Sequence, residues 1–266
     1  MTAGRQRMWR VLAPLLVGVA MLAFWEAAVR GFAVRSFILP PPSMIAQSFW
    51  TDAPLLFHSL GTTLRITLAA LAAAAVFGGA LALLFSLSRV LEISLLPYAV
   101  ILQVTPIVAI APLIVIWLRD QAFLTLLLCA WIVAFFPIVS NTTVGLNSAD
   151  RNLMALFRLY GASRGQTLLY LRLPTALPYF LAGLRISGGL ALIGAVVAEF
   201  VVGTGGSETG LATRILEAGY RLQTPRLFAA LLLLALTGIV IYLVLDFLSR
   251  RLLHHWHESV ITEEEE

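Results

Sequence analysis

Apolar residues in this chain come in long runs, separated by short polar segments, and not in the alternation of a half-buried strand. Runs near Val11–Val29, Leu60–Ser86, Leu95–Leu118, Ala122–Ser140, Tyr179–Val202 and Leu227–Leu248 are each long enough, as helices, to cross about 30 Å of hydrocarbon. The pattern predicts an all-α membrane protein with six transmembrane helices. The first run has an apolar core of only about fifteen residues, the length of a signal-peptide core. Ala27-Ala28 imitates a cleavage site, but bulky Phe24 and Trp25 fit poorly there, so a retained anchor is expected. The third run is interrupted by Pro97, Pro106 and Pro112. Prolines leave backbone carbonyls free, and these must face protein or water, not lipid. With Gln103 and Thr105 beside Pro106, this segment is the expected pore lining.

One stretch breaks the apolar pattern. Asp150 to Pro178 is a polar, arginine-studded island between the fourth and fifth runs. Asp150 is suited to cap a helix start. After it Leu153, Leu156, Phe157 and Tyr160 recur at helical spacing as one apolar stripe, with Arg151 and Arg158 on a more polar side. Gly161 is placed to end that helix with a positive φ. Ser163 with Gln166 reads as a capping box for a second short helix. Pro174 is expected to stop that helix, and Pro178 to stand where the next span begins. Two short helices with a sharp turn result. They read either as an amphipathic loop resting on lipid headgroups or as a docking element for a soluble partner.

Arginine distribution sets orientation. One set of flanks holds ten arginines (5, 7, 10, 89, 151, 158, 164, 172, 250 and 251) and the opposite set six (30, 35, 119, 214, 221 and 226). Both termini and the Asp150–Pro178 loop are therefore expected in the cytoplasm. At 12% charged, the chain carries about half the charge of a soluble domain. All 18 basic residues are arginine, which excludes a P-loop, a lysine nucleophile and a Schiff base. The single cysteine, Cys129, excludes an intrachain disulfide and a thiolate cluster. The arginines form no basic stripe, so no nucleic-acid partner is expected.

Charges within spans are expensive and usually functional or paired. Arg185 and Glu199 stand fourteen apart in the fifth run, about 21 Å along a helix, and cannot pair with each other. Arg185 reads as snorkelling or as half of an ion pair. Glu199 reads equally as lining the substrate exit or as holding the Gly203–Gly206 loop. Arg65 and Asp246 read as structural. Ala74, Gly78 and Ala82 in the second run, and Gly194 and Ala198 in the fifth, have the four-residue spacing that lets helices approach closely. His254, His255 and His257 with Glu258 fit no metal-ligand spacing and read as a solvated tail, as do the four terminal glutamates.

A helix, then Gly161-Ala162-Ser163, a run of about ten residues and Leu173-Pro174 resemble the coupling-loop signature of bacterial ABC importer permeases. That signature is written Glu-Ala-Ala, three residues, Gly, and a hydrophobic-x-Leu-Pro ending. Leu39-Pro40-Pro41-Pro42-Ser43, Leu177-Pro178-Tyr179, Gly183-Leu184-Arg185-Ile186 and Ala198-Glu199 are similar to stretches of the nitrate, sulfonate and taurine type permeases. The resemblance covers roughly Phe37 to Arg251. Glu-Ala-Ala falls on Ala155-Leu156-Phe157, so the acidic residue is missing, and packing of Phe157 would have to stand in its place.

The resemblance implies a type I ABC importer permease fold with a cytoplasmic coupling helix. It implies one half of a homodimeric pore in a bacterial inner membrane, sitting on a cytoplasmic ATPase dimer and fed by a periplasmic binding protein. The chain itself would be no enzyme; ATP and Mg would be bound by the partner. The implied coupling residues are Leu153, Ala155, Leu156, Phe157, Arg158, Tyr160, Gly161, Ala162, Ser163 and Pro174. Gln103, Thr105, Pro106 and Glu199 are the translocation-path candidates. Expected divisions are 1–36 (cytoplasmic N-terminus and anchor), 37–59 (periplasmic amphipathic segment), 60–250 (permease core) and 251–266 (cytoplasmic tail). The stretches Ala155–Ser163 and Ala191–Gly206 look most like members for heterocyclic vitamins: riboflavin or a thiamine-pyrimidine precursor, ahead of sulfonate, taurine or nitrate. The competing class is a secondary transporter driven by an ion gradient through Glu199. A membrane enzyme has no carboxylate pair, in-span histidine or metal cluster to support it.

Overall fold

Residues 53–87 hold one proline, Pro54, and it stands in the first turn, where its missing N–H costs nothing. The computed structural model accordingly makes this stretch one helix of 35 residues. It describes residues 3–119, 121–202 and 209–254. In chain order the helices are α1 (Ala3–Gly31), α2 (Pro42–Thr51), α3 (Ala53–Leu87), α4 (Arg89–Val104), α5 (Ile107–Leu118) and α6 (Ala122–Asn147). The second half holds α7 (Arg151–Leu159), α8 (Arg164–Thr167), a π turn (Leu168–Arg172), α9 (Leu173–Val202), α10 (Leu211–Tyr220) and α11 (Thr224–Leu253).

Three helices make the centre: α6 packs along α9, and α3 lies against both. α11 covers α9 and α2, while α1 touches the rest mainly through α2 and an edge-on contact of Trp25 with Phe228. The small residues named from their spacing sit where helices come closest. Ala74, Ala82 and Ala198 have no exposed surface. A Cβ added at Gly194 would lie 2.8 Å from the Ala130 Cα, and one at Gly183 would lie 2.9 Å from the Pro137 carbonyl oxygen. Gly194→Leu should therefore force α6 and α9 apart and cost about 1–3 kcal/mol. The check is thermal unfolding in detergent against Gly189→Leu, where an added Cβ meets open space and no such loss is expected.

Two expectations are corrected. The third apolar run is not one crossing helix: α4 and α5 meet at a 100° bend at Thr105-Pro106. Pro97 and Pro112 remain inside helices. With 12 residues, about 18 Å, α5 is too short to cross hydrocarbon alone, so the pair forms a broken span or a re-entrant element. Among the described residues, five helices are long and apolar enough to cross singly, and this pair is the sixth candidate.

Pro174, in turn, does not stop the second loop helix, and Pro178 does not open the next span. Arg164 to Val202 runs as 39 continuous helical residues. The ladder widens just before Pro174, where the Leu173 N–H reaches back five residues to the Leu168 carbonyl. A proline ring clashes with the carbonyl four residues earlier, and a wider π turn displaces that carbonyl.

One end of the bundle is closed by an ion pair between α11 and the α2–α3 joint. Arg226 donates to Asp52 through Nε (2.8 Å) and Nη2 (2.6 Å). These bonds hold the Asp52 carboxyl below the usual aspartate value. A depressed carboxylate pKa gives stability that is present at neutral pH and lost as pH falls through the folded value, below about 4. In Asp52→Asn the acid-induced loss of stability over that window should shrink, and neutral-pH stability should fall by about 1 kcal/mol. Melting curves at pH 7 and at about pH 3, inside that window, compare the two.

Candidate functional site

Asp150 Oδ1 accepts from the N–H groups of Asn152 (2.6 Å) and Leu153 (3.2 Å), which fixes the start of α7. Its end is a Schellman turn. Gly161 has φ +69°, its N–H donates to the Arg158 carbonyl, and the Ala162 N–H reaches back to the Phe157 carbonyl at 2.9 Å. The capping box follows: Ser163 Oγ accepts from the Gln166 N–H, and Gln166 Oε1 accepts from the Ser163 N–H at 2.7 Å. So both ends of the turn are hydrogen-bonded locally, and the loop has a defined shape. Its base is anchored where Leu168 and Leu173 pack on Ala82, Leu146 and Ala176.

The orientation of α7 is the unusual feature. A surface helix normally turns its apolar stripe to the core. No residue of α7 is buried. Leu153 and Leu156 are 46% and 44% exposed, and Leu159 and Tyr160 are each 84% exposed. The half-buried Met154 and the exposed Arg151 and Arg158 line two cavities of about 360 and 420 Å³ beside the ends of α3 and α6. Met154 and Phe157 are the half-buried residues of α7, while Leu153, Leu156, Leu159 and Tyr160 lie outward with the exposed Arg151 and Arg158 at their side. Nine residues also fall short of the about 12–15 that an isolated helix needs in water. α7 is thus a capped helix that leaves four large apolar side chains exposed.

The coupling-loop candidates divide accordingly. Leu153, Leu156 and Tyr160 form the outward surface, joined by Leu159, which the spacing argument missed. Ala155 is exposed and Phe157 half-buried. Arg158 is exposed and lines both cavities. Gly161, Ala162 and Ser163 make the turn, while Pro174 sits apart in the first turn of α9.

At the opposite end of the bundle Glu199 is 1% exposed. Its Oε1 accepts from Thr63 Oγ1 (2.7 Å) and its Oε2 from the Ala212 N–H (2.9 Å). Thr63 Oγ1 in turn accepts from the Leu211 N–H at 2.8 Å. Carboxylate and hydroxyl together satisfy orphan donors at the start of α10 and favour its positive dipole end. Gly210 lies against the carboxylate so closely that a Cβ there would collide with it. Arg214 adds a bond to Ser59 Oγ. Gln103, Thr105 and Pro106 lie elsewhere, at the α4–α5 bend, where Thr105 Oγ1 donates to the Ile101 carbonyl at 2.6 Å. The structure does not join Glu199 to them. Thr63 and α10 were not anticipated, and the Gly203–Gly206 loop lies outside the described residues.

Arg185 is paired: Nη1 donates to Asp246 Oδ1 at 2.7 Å, and Arg250 holds the other Asp246 oxygen at 2.9 Å. Among the described residues no group of three His, Cys, Asp or Glu could hold a metal. His255, His257 and Glu258 lie outside them.

Residues 66–254 match the family of binding-protein-dependent transport system inner membrane components. A riboflavin transport system permease of Chloroflexus aurantiacus is 36% identical, over 94% of this chain and 92% of its own. A probable ABC transporter permease of Haemophilus influenzae is 35% identical (91% and 97%), and a formylaminopyrimidine transport permease of Halalkalibacterium halodurans 32% (93% and 97%). Permeases for aliphatic sulfonates, taurine and nitrate are similar at 30%, 30% and 26% identity. Among solved structures, inward-facing MetNI methionine ABC transporter superposes with a TM-score of 0.64 over 76% of this chain and 97% of its own, at 18% identity. The chain belongs to the binding-protein-dependent transport system inner membrane components, as an ABC importer permease of the nitrate, sulfonate and taurine type with the type I fold.

Proposed function

We propose that this permease forms half of a homodimeric pathway in a bacterial inner membrane, and that α7 docks it onto a cytoplasmic ATPase dimer. One observation carries the reading: the capped α7 turns Leu153, Leu156, Leu159 and Tyr160 outward. ATP and Mg are bound by the partner, and a periplasmic binding protein delivers the cargo. ATP favours one of two packed states by closing the ATPase, and the loop transmits that preference to the bundle. With α7 in the cytoplasm, as the arginine bias expects, both termini are cytoplasmic and Glu199 lies toward the periplasm.

The proposed cargo is a heterocyclic vitamin or precursor, in the class of riboflavin or a formylated aminopyrimidine, in keeping with two of the relatives. Sulfonate, taurine and nitrate form the competing set. The gradient-driven alternative would use Glu199 as its proton site. Both Glu199 oxygens are instead engaged in holding α10, which favours the importer reading.

Affinity purification of the tagged protein from its native membrane tests this. A stoichiometric ATPase subunit should co-purify, and Gly161→Pro should remove it, because proline cannot adopt the positive φ of that turn. Co-purification unchanged by Gly161→Pro, or a preparation without ATPase, would refute the docking role. Competition by riboflavin, a pyrimidine, taurine or nitrate in uptake assays then identifies the cargo.

A further inference from the structure

The open space beside α7 has a chemistry of its own. The two cavities share Met154, Arg158 and Arg172. Arg164 lines one and Arg151 the other, so four guanidinium groups converge and no carboxylate lines either space. Six arginines elsewhere, Arg30, Arg89, Arg185, Arg214, Arg226 and Arg250, are each paired with a carboxylate. Among the described residues none of the four is. The nearest acid in sequence, Asp150, spends its Oδ1 on the start of α7. Arg172 alone has an internal acceptor, the Ser86 carbonyl at 3.0 Å.

Position supplies the second half of the argument. Ser86 and Leu87 are the last residues of α3, and Leu146 and Asn147 the last of α6. The cavities therefore lie at the ends of two membrane-crossing helices, on the side of the bundle where the arginine bias places the anionic cytoplasmic leaflet. Each has a volume in the about 300–1,000 Å³ range of small-ligand sites. Guanidinium groups bind phosphate oxygens in pairs, and basic pockets between helices on that side take anionic headgroups.

We infer that the space beside α7 binds the phosphodiester headgroup of an anionic phospholipid. Such a headgroup neutralises the arginines, braces α7 and leaves its outer surface free. The inference does not depend on ATPase docking, because lipid binding is read on the permease alone and either can fail without the other.

The test is native mass spectrometry of the full-length permease in detergent, after incubation with cardiolipin, phosphatidylglycerol or phosphatidylcholine. Anionic lipid should be retained by the wild type and by Arg251→Gln, which loses a charge near the same end of the bundle without touching the cavity. Arg151→Gln combined with Arg164→Gln should retain roughly tenfold less or lower still. Equal retention by all three proteins would overturn the inference and leave a general basic surface. Inorganic phosphate is the other arm: occupancy by free phosphate without preference for anionic over zwitterionic lipid would overturn the lipid source. Unchanged lipid retention with ATPase co-purification lost would assign the arginines to a protein carboxylate and overturn it as well.

Discussion

Leu156→Asp is expected to abolish ATP-driven uptake while leaving the bundle folded. The side chain is 44% exposed and belongs to a helix with no buried residue, so the fold loses little when it changes. Its cost falls on docking. A carboxylate set into an apolar contact is desolvated without a partner. Central apolar anchors of interfaces are commonly worth about 2 kcal/mol or more, roughly 30-fold in affinity. The missing family glutamate sharpens the case. With alanine at position 155, the proposed docking would rest on apolar contact by Leu153, Leu156, Leu159 and Tyr160, all exposed. Uptake and ATPase co-purification should fall together, while the thermal midpoint of the purified permease stays within a degree or two, the range of a surface change below about 0.5 kcal/mol. Lost uptake with the ATPase still bound at wild-type stoichiometry would move the role of Leu156 from docking to a later step.

Glu199→Ala is expected to give the largest loss of stability. It strips the Ala212 N–H and Thr63 Oγ1 of an acceptor inside the protein and opens a cavity beside Gly210. Unsatisfied buried donors and a partly relaxed cavity together cost about 2–4 kcal/mol. The damage should be local first. α10 starts on this carboxylate, so trypsin cleavage after Arg214 should accelerate before the α3–α6–α9 core melts. Glu199→Gln keeps the volume and one acceptor and should be milder. If Glu199→Ala melts like the wild type yet loses transport, the carboxylate acts in the pathway and not as an anchor for α10.

Most of the architecture was readable because bilayer thickness dictates the length of apolar runs, and local rules dictate caps. Asp150, Gly161 and the Ser163–Gln166 box act on groups within a few residues of themselves, so sequence alone located them. What escaped depends on distant partners. α10 is a short amphipathic segment whose start is satisfied by Glu199, and by Thr63 148 residues before Leu211. Nothing near Leu211 announces either. Three prolines look alike in the third run, yet only Pro106 marks the 100° bend. Pro174 looked like a stop signal, but a π turn takes it into a continuous helix. On α7 the spacing grouped Leu153, Leu156, Phe157 and Tyr160, but Phe157 is half-buried while Leu159, outside that stripe, is exposed, because which side of a short helix is covered depends on its neighbours in space.

Site-specific crosslinking from α7 tests the central claim most directly. Cys129 is the only cysteine and is buried, so Leu156→Cys in a Cys129→Ala background places one reactive thiol on the outward face. In native membranes, a short photoreactive maleimide at that thiol should join the permease to one ATPase subunit, in a yield that changes when ATP is added. A probe that reaches only lipid, or the same partner with and without an ATPase present, would contradict the assignment of α7 as the docking helix.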